Sequence, residues 1–460
     1  MNTSESSTFG LSLNQLAVWY VYMLAPESPA YHLQFCSRIT SVLSLDRLER
    51  ALATVVAQSP MLRTTINSET GVPLQTVHAS WRPSLRIYDS STLSDEELLA
   101  RIRDDYERPF NLAAHPGFRA SVYCRGSDDH ILLLTVHHAF IDGWGLSLLI
   151  DRICCAYAGE VPDRPIAEYL DFIRWQERFM RSSEARRQLS YWEAELDGVL
   201  SVLDLPVDRP RPSLQALRGD SVTFSVEQDT TSRLVHLARE SNTSLFRVLL
   251  SVCHATIGCL ADSDQVLIGV PVAGRSQPGF ADTIGHFVNL LALRGDLRGE
   301  PSFRDLVHRT DGIVRSALAN QDYPFAALIE NLTFPRSAGR SPVVQVSFAL
   351  QRAPIPEMPQ FFLASSGERG FERKGLTFEP VGMGQQHGAF DLSLWLARSS
   401  RGLIGELKYN SDHYCRPTVE RYTEILPTLL ARVTKIPDMS VAELTRIGTN
   451  LFAANVEYKV

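Results

Sequence analysis

The sequence lacks any apolar run long enough to cross a membrane. A spanning helix needs roughly 18 or more consecutive apolar residues, and no stretch of the 460 residues reaches that length. The first ten residues, MNTSESSTFG, also lack the charged start and apolar centre of a secretory signal peptide. These two absences predict a cytoplasmic protein without a membrane span.

Cysteine is scarce and scattered, which argues against a disulfide framework. The chain has 7 cysteines, an odd number, and most stand in apolar runs such as RICCAYA and LLSVCHATIGCL. Neither the regular spacing of paired cysteines nor that of a zinc site is present. We therefore expect buried thiols that behave as small apolar side chains.

An excess of basic residues is also missing. The net charge is -7 and the pI is near 6.0, whereas a nucleic-acid-binding protein normally shows a basic face. Hydrophobic residues at 44% and charged residues at 21% are ordinary for a globular chain. The composition therefore predicts a folded protein whose partners include neither nucleic acid nor a membrane.

Three common catalytic signatures are absent as well. The sequence contains no P-loop, no GxSxG nucleophile elbow and no HExxH zinc motif. Nucleotide hydrolysis of the P-loop type, α/β-hydrolase chemistry and zinc proteolysis of the HExxH type are thus not indicated.

The patterns that are present predict a mixed α/β protein of two or three domain-sized units. Residues 44–56 place leucines on one helical face behind a cap at Ser44, and Ser94 with Glu97 forms a capping-box pattern. Residues 131–136, ILLLTV, form a short apolar run typical of a buried central strand.

The strongest shift in composition lies at residues 182–213. A charged helical segment there gives way to the proline-rich stretch LPVDRPRPS, which is typical of a connection between lobes. We therefore predict domain limits of 1–181 and 182–460.

A pair of histidines follows the predicted strand 131–136 and precedes a predicted helix. Histidine exchanges protons near neutral pH, so His138 could deprotonate or orient an attacking amine or hydroxyl. Asp142 could accept hydrogen bonds or pair with an arginine. Gly143 would permit a backbone geometry or a close approach that a Cβ blocks.

From the residues alone, two interpretations of His137 and His138 are about equally good. One is a catalytic histidine, and the other is a core histidine beside a surface one. A metal site is less favoured, because adjacent side chains on a strand point to opposite faces and no further ligand cluster is apparent. Only one of the two histidines can then face the reacting atoms.

The stretch HHAFIDG at 137–143 resembles the HHxxxDG motif of condensation domains of nonribosomal peptide synthetases, which belong to the chloramphenicol-acetyltransferase-like superfamily. Other stretches resemble further motifs of that family in the same order: LSLNQLAVWY at 11–20, SPMLRTTI at 59–66, YLDFIRW at 169–175, TIGHFVNLLALR at 283–294 and NQDYPFAALIE at 320–330. The matches cover nearly the whole chain.

The resemblance implies two acetyltransferase-like lobes arranged in a V, with His138 facing a central tunnel. Asp142 would then be structural and paired with an arginine, for which Arg63 is our candidate. Serine is common in the family where this chain has Gly145, so we expect a loosened helix cap. The candidates for lining the tunnel, or for capping backbone groups instead, are Asn289, Gln321 and Asp322.

The function implied by the resemblance is acyl transfer from a phosphopantetheine thioester on a carrier protein to an amine or hydroxyl, giving an amide or ester. His138 would act as general base or as positioner. The expected partners of this monomer are a donor acyl or peptidyl carrier protein and either an acceptor carrier protein or a free small molecule.

No metal or bound cofactor is expected, because the partner supplies the phosphopantetheine. The setting would be nonribosomal peptide or hybrid polyketide biosynthesis, including chain release, by a free-standing or excised domain. Antibiotics and other secondary metabolites are the typical products.

Three alternatives remain open: an epimerisation domain, a coenzyme A dependent acyltransferase of the same superfamily, and a non-catalytic module that recruits a partner. The additional motifs of epimerisation domains are not evident, and the ordered matches weigh against the coenzyme A enzyme. The intact residues His138 and Asp142 disfavour the recruiting module.

Overall fold

The computed structural model describes residues 6–69, 71–198, 203–212, 217–332, 339–363, 370–383 and 390–454. Helices and strands alternate through these ranges, as the sequence predicts. The elements of the first part are β1 (Ser7–Gly10), α1 (Leu13–Leu24), β2 (His32–Ile39), α2 (Leu45–Gln58), β3 (Thr64–Asn67), β4 (Leu74–Val77), β5 (Leu85–Asp89), α3 (Asp95–Glu107), β6 (Phe118–Cys124), β7 (His130–His137), α4 (Gly143–Tyr157), α5 (Tyr169–Met180) and α6 (Ser183–Leu196).

The later elements continue the same alternation. They are β8 (Gly219–Glu227), α7 (Gln228–Glu240), α8 (Leu245–Ala261), β9 (Gln265–Val272), β10 (Asn289–Asp296), α9 (Phe303–Leu318), α10 (Phe325–Asn331), β11 (Val346–Leu350), β12 (Phe371–Arg373), β13 (Leu376–Pro380), β14 (Leu392–Ser399), β15 (Gly402–Asn410), α11 (Arg416–Lys435) and α12 (Val441–Ala454). Short 3-10 turns occur at Pro29–Tyr31, Pro60–Arg63 and Met358–Phe362.

Several helices begin at the capping residues that the sequence indicates. The side chain of Ser44 accepts a backbone N–H at the start of α2, and Ser94 forms a reciprocal capping box with Glu97 at the start of α3. A further capping box, formed by Ser302 and Asp305, is present at the start of α9. Each box satisfies backbone N–H groups that have no partner within the first turn of the helix.

The chain divides into two compact units that are not linear in sequence. Unit 1 comprises Met1–Ser183, Ala273–Val288 and Arg352–Gln385, and unit 2 comprises Glu184–Val272, Asn289–Gln351 and Gln386–Val460. Two later stretches of the chain therefore belong to unit 1. The linear domain limits 1–181 and 182–460 stay a prediction. The described proline-rich residues 203–212 belong to unit 2.

Unit 1 is built around a six-stranded mixed sheet with the order β12-β13-β2-β7-β6-β5. Only β5 and β6 in this order run parallel. Every residue of β7 is buried, and the strand lies between β2 and β6, so the predicted central strand is confirmed. Helices α2 and α4 share one apolar core with it, and each large aliphatic side chain buried there contributes about 1.5–3 kcal/mol.

Unit 2 contains a second six-stranded mixed sheet, with the order β10-β9-β11-β14-β15-β8. Strand β11 runs parallel to both β9 and β14, and the remaining pairs are antiparallel. Helix α8 is buried over most of its length and packs beside α9, α11 and α12. The two sheets with their helices confirm the mixed α/β prediction.

The sequence analysis made predictions about membrane-spanning helices and about cysteine burial, which can be compared with the structure. Within the described ranges, no single helix has the length and apolar character to cross a membrane, although α7 and α8, bent by 104° between them, pass that test as a pair. All seven cysteines are unpaired. Cys36, Cys154 and Cys253 are buried as predicted, whereas the other four are partly exposed.

Candidate active site

The predicted junction of strand, turn and helix is present in unit 1. His137 is the last residue of β7 and stands opposite His32 of β2. The N–H of His138 donates to the carbonyl oxygen of Tyr31 at 2.7 Å, and the N–H of Phe140 donates back to that of His137 at 3.0 Å. The chain therefore turns tightly just before α4, and the two histidines enter different surroundings.

The ring of His137 lies in the apolar core. Its centroid is 5.5 Å from that of Tyr22, 6.2 Å from that of Phe110 and 6.4 Å from that of Phe140. Its Nδ1 accepts the N–H of Ala139 at 3.3 Å. Burial, followed by the charge of neighbouring histidines, lowers the pKa of His137 well below 6.5. His137 is thus a neutral core histidine.

His138 is partly buried, and its contacts assign its tautomer. Nδ1 lies 2.8 Å from the carbonyl oxygen of Ile141. Because a carbonyl oxygen can only accept, Nδ1 carries the proton, and Nε2 of the neutral ring holds a free lone pair. Burial lowers the pKa of His138 below 6.5, opposed by the charge of Asp142 and the bond to Ile141. At neutral pH, His138 can therefore accept a proton at Nε2.

Asp142 is the hydrogen-bonding centre of the turn and is only 3% exposed. One carboxylate oxygen accepts the N–H of Gly145 at 2.7 Å, and the other accepts the N–H of Phe287 at 3.0 Å. The guanidinium of Arg275 donates to both oxygens, at 2.7 and 3.1 Å. Burial works to raise the pKa of Asp142, but the charge and hydrogen bonds of Arg275 outweigh it and lower the pKa.

The prediction that Arg63 pairs with Asp142 is wrong, although the kind of partner is right. Arg63 lies at the end of a 3-10 turn and directs its guanidinium to the carbonyl oxygen of His78. Arg275 follows β9, and its side chain is 4% exposed, with the guanidinium 4.2 Å from the ring centroid of Phe287. This pair holds the turn in place through a bidentate, charge-assisted contact.

His286 is a further site residue that the sequence did not single out. It is 4% exposed, and its Nδ1 lies 3.1 Å from Nδ1 of His138, with the ring planes at 89°. Burial, followed by the charge of His138, lowers the pKa of His286 to about 3. Its position inside the motif-like stretch 283–294 was the only available signal.

Among the described residues, no group of His, Cys, Asp or Glu is arranged to hold a metal ion.

The backbone around His286 is fastened to the turn on both sides. The carbonyl oxygen of Gly285 accepts the N–H of Asp142 at 3.1 Å, while the next N–H after His286 donates to the Asp142 carboxylate. The hydroxyl of Tyr169 donates to the carbonyl oxygen of His286 at 2.6 Å. A Cβ on Gly285 would collide with the Tyr169 ring, so this close approach requires glycine.

Two glycines at the start of α4 differ from the expectations drawn from the sequence. A Cβ on Gly143 would meet no protein atom within 4 Å, so the expected close approach at this residue is not found. A Cβ on Gly145 would lie 2.9 Å from Cγ1 of Ile141 and 3.3 Å from the Asp142 carboxylate. The cap is not loosened either, because the N–H of Gly145 binds Asp142 at 2.7 Å.

This difference predicts unequal costs for the same substitution. Gly145→Ala should lower the free energy of unfolding by about 1–3 kcal/mol, because the added methyl overpacks the turn. Gly143→Ala should be neutral or stabilising by up to about 1 kcal/mol, because alanine has the higher helix propensity. Urea unfolding of the two matched variants measures both values. Equal costs at the two positions would contradict the packing described for this turn.

The predicted tunnel residues lie in unit 2, where Asn289 organises the start of α10. Its amide nitrogen donates to the carbonyl oxygens of Gln321 and Tyr323 at 2.9 and 2.8 Å, and its oxygen accepts the N–H of Phe325 at 2.9 Å. The side chain of Gln321 donates to a carbonyl at the end of α9, and Asp322 is partly buried. The backbone-capping alternative thus holds for Asn289, and a tunnel role of the three residues stays a prediction.

Solved structures define the class of fold. A four-domain nonribosomal peptide synthetase bound to AMP and glycine matches with a TM-score of 0.88 and 24% identity, over 95% of this chain and 34% of that chain. The X-domain in a complex with OxyB from teicoplanin biosynthesis matches with a TM-score of 0.81 and 24% identity, over 95% of both chains. The fold is thus the chloramphenicol-acetyltransferase-like fold of condensation domains.

The condensation domain profile matches residues 5–450, and the chain belongs to the condensation domain family. The dimodular nonribosomal peptide synthase of Bacillus subtilis is 32% identical over 453 residues, which are 94% of this chain and 18% of that protein. This chain therefore spans only a small part of the curated relatives' length. Members of the family are generally amide-forming acyltransferases that use carrier-bound substrates in nonribosomal peptide synthesis. The family predicted from the ordered motifs is confirmed.

Proposed function

We propose that this chain transfers an acyl group from a carrier-protein thioester to an amine or hydroxyl, with His138 as the base. The observation that carries the proposal is the contact between Nδ1 of His138 and the carbonyl oxygen of Ile141 at 2.8 Å. It leaves the lone pair of Nε2 free on a partly buried, neutral ring. Membership of the condensation family supplies the class of reaction.

The proposed step balances without a metal or a redox partner. The nitrogen or oxygen of the acceptor attacks the thioester carbonyl carbon as its proton moves to Nε2 of His138. The carbon–sulfur bond then breaks, and the proton passes to the departing sulfur, giving an amide or ester and a free thiol on the phosphopantetheine arm. A positioned base of this kind contributes about 10²–10⁴-fold to the rate.

The turn keeps the reacting histidine in one orientation. The bidentate pair of Asp142 and Arg275 fixes the residues that follow His138. Supporting hydrogen bonds of this kind hold a reacting side chain in its productive geometry. The Asp142 carboxylate already accepts hydrogen bonds from Gly145, Phe287 and Arg275. It is therefore a structural residue in the proposed mechanism.

The donor is proposed to be an acyl or peptidyl group on the phosphopantetheine arm of a carrier protein, so that this chain needs no cofactor of its own. The acceptor is a second carrier-bound substrate or a free amine or alcohol, the latter in a chain-release step. Nonribosomal peptide or hybrid polyketide synthesis provides such donors.

The test is intact-mass detection of acyl loss from loaded carrier proteins that are offered a panel of amines and alcohols. Formation of an amide or ester by the wild type would support the proposal and identify the bond. A parallel reaction contains the matching coenzyme A thioester, and efficient transfer from that donor alone would favour the coenzyme A dependent alternative.

Two further outcomes of the same assay would overturn the proposal. Incorporation of deuterium from heavy water into a retained acyl group, without transfer, would indicate epimerisation. No reaction of any loaded carrier with folded protein would indicate the recruiting module. Circular dichroism of each sample establishes that the protein is folded.

A further inference from the structure

His286 lies against His138 on the side away from the proposed reaction. Its Nδ1 is 3.1 Å from Nδ1 of His138, and the ring centroids are 4.8 Å apart. We infer that His286 is a positioning residue whose Nδ1 accepts the Nδ1–H of His138 together with the Ile141 carbonyl, which keeps the lone pair on Nε2. The effect on rate rests on the proposed function, whereas the tautomer is a property of the protein alone.

The inference follows from counting protons between the two rings. The carbonyl oxygen of Ile141, at 2.8 Å from Nδ1 of His138, requires a donor there. Because Nδ1 of His138 already carries this proton, it cannot accept a second one from His286. The ring of His286 is also within hydrogen-bonding reach of the Ile141 carbonyl, but that oxygen lies 2.8 Å from Nδ1 of His138. We therefore assign the proton to His138 and a lone pair to the facing nitrogen of His286, so that the hydrogen bond is shared between two acceptors.

His286 can hold this role throughout the titration of His138. The charged and titratable groups around the two rings are Asp142, Arg275, the buried His137 and the phenols of Tyr31 and Tyr169. Burial and the charge of His138 keep the pKa of His286 near 3, so it stays neutral when His138 gains a proton. A hydrogen bond donated by an imidazolium is stronger than one donated by a neutral ring, and His286 thus favours the protonated form of His138.

The acceptor is also held in place before any proton moves. Gly285 and Phe287, on either side of His286, both bond to Asp142, and Tyr169 bonds to the carbonyl oxygen of His286. A group fixed by its own surroundings loses little freedom when it makes a stronger hydrogen bond. The same contacts allow the side chain to be exchanged while the backbone keeps its supports.

The first test uses nitrogen-15 histidine NMR on the protein without substrate, with His138→Gln to assign the signals. In the wild type, Nδ1 of His138 should be protonated and Nε2 unprotonated. His286→Phe, in which the Ile141 carbonyl is the remaining acceptor, should make the opposite tautomer detectable and lower the titration midpoint of His138 by about one pH unit, as expected for loss of a hydrogen bond to a charged group. His286→Asn, whose amide oxygen can replace Nδ1, should restore both properties.

The control is His254→Gln. His254 is a fully buried histidine of unit 2, whereas His286 belongs to unit 1. It should leave the tautomer and midpoint of His138 unchanged. An unchanged tautomer and midpoint in His286→Phe would overturn the inference, as would a wild-type spectrum with the proton of His138 on Nε2. Because a merely structural role would alter folding without moving this midpoint, the two roles are separated.

The second test measures single-turnover acyl transfer by the same variants. His286→Phe should be about tenfold slower than wild type at its plateau, with the acid limb of its pH profile moved to lower pH by about one unit, and His286→Asn should recover most of the rate. The predicted NMR changes without transfer by any variant would refute the proposed function alone. Transfer with no difference between the variants would refute the inference alone.

Discussion

His138→Ala is expected to lose about 10²–10⁴-fold in the rate of acyl transfer, the usual contribution of a positioned general base. The loss arises because alanine removes Nε2, the nitrogen on which the contact with Ile141 leaves a lone pair. The free energy of unfolding should change by only about 1 kcal/mol, since the His138 side chain is partly exposed. Single-turnover intact-mass assays and urea unfolding measure the two effects.

The adjacent residue provides the matched comparison. His137 is 2% exposed and packs among aromatic rings, so His137→Phe should retain transfer in the folded fraction while losing the hydrogen bond from Ala139. That loss should cost about 1–3 kcal/mol of stability, because it leaves a buried N–H without an acceptor. If His137→Phe abolished transfer and His138→Ala did not, the roles assigned to the two histidines would be reversed.

Arg275→Met is expected to lower the free energy of unfolding by about 3–5 kcal/mol, the usual cost of removing one partner of a buried ion pair. The side chains of Arg275 and Asp142 are both 4% exposed, so the remaining carboxylate would be buried without its charge partner. Methionine retains much of the apolar length of arginine, which limits the contribution of lost packing. Urea unfolding followed by circular dichroism gives the value.

Two variants separate the buried pair from an ordinary surface contact. Arg174→Ala breaks an ion pair with Asp171 in which both side chains are 50% exposed, and it should cost less than about 1 kcal/mol. The double variant Arg275→Met with Asp142→Asn should recover part of the loss, because the uncompensated charge is gone. A cost for Arg275→Met no greater than that for Arg174→Ala would contradict the structural role given to the pair.

The local parts of this site could be predicted from the sequence because local chemistry determines them. The apolar run 131–136 and the capping patterns at Ser44 and Ser94 depend on neighbouring residues only. They place β7 and the helices close to where the structure has them. The choice of His138 over His137 came instead from the resemblance to the family, because the residues alone allowed either.

The long-range parts could not be predicted in the same way. Arg275 is 133 residues from Asp142 in sequence, and His286 is 148 residues from His138. No periodicity or cap connects such distant positions, and Arg63 was the more visible arginine because it stands in a motif. The pairing of β13 with β2 in one sheet likewise joins residues that are distant in sequence. Long-range pairing depends on the packing of the whole unit rather than on local pattern.

The error at the two glycines has a simpler cause. A motif shows that glycine occurs after Asp142, but it does not show which atoms surround the position. At Gly143 the space is open, while at Gly145 the Ile141 side chain and the Asp142 carboxylate are close. Only the three-dimensional arrangement separates a glycine with close neighbours from one without them.

The most direct test of the central claim, that neutral His138 accepts the proton, is the pH dependence of single-turnover transfer to an alcohol, which does not itself titrate in this range. Because burial lowers the pKa of His138 below 6.5, the unprotonated ring predominates at and above that pH. The wild-type rate should therefore be level from about pH 7.5 to about pH 8.5 and, in acidic solution, fall towards tenfold per unit, with no such limb in His138→Ala. A rate that still rose about tenfold per unit above neutral pH, or an acid limb that persisted in His138→Ala, would contradict the account.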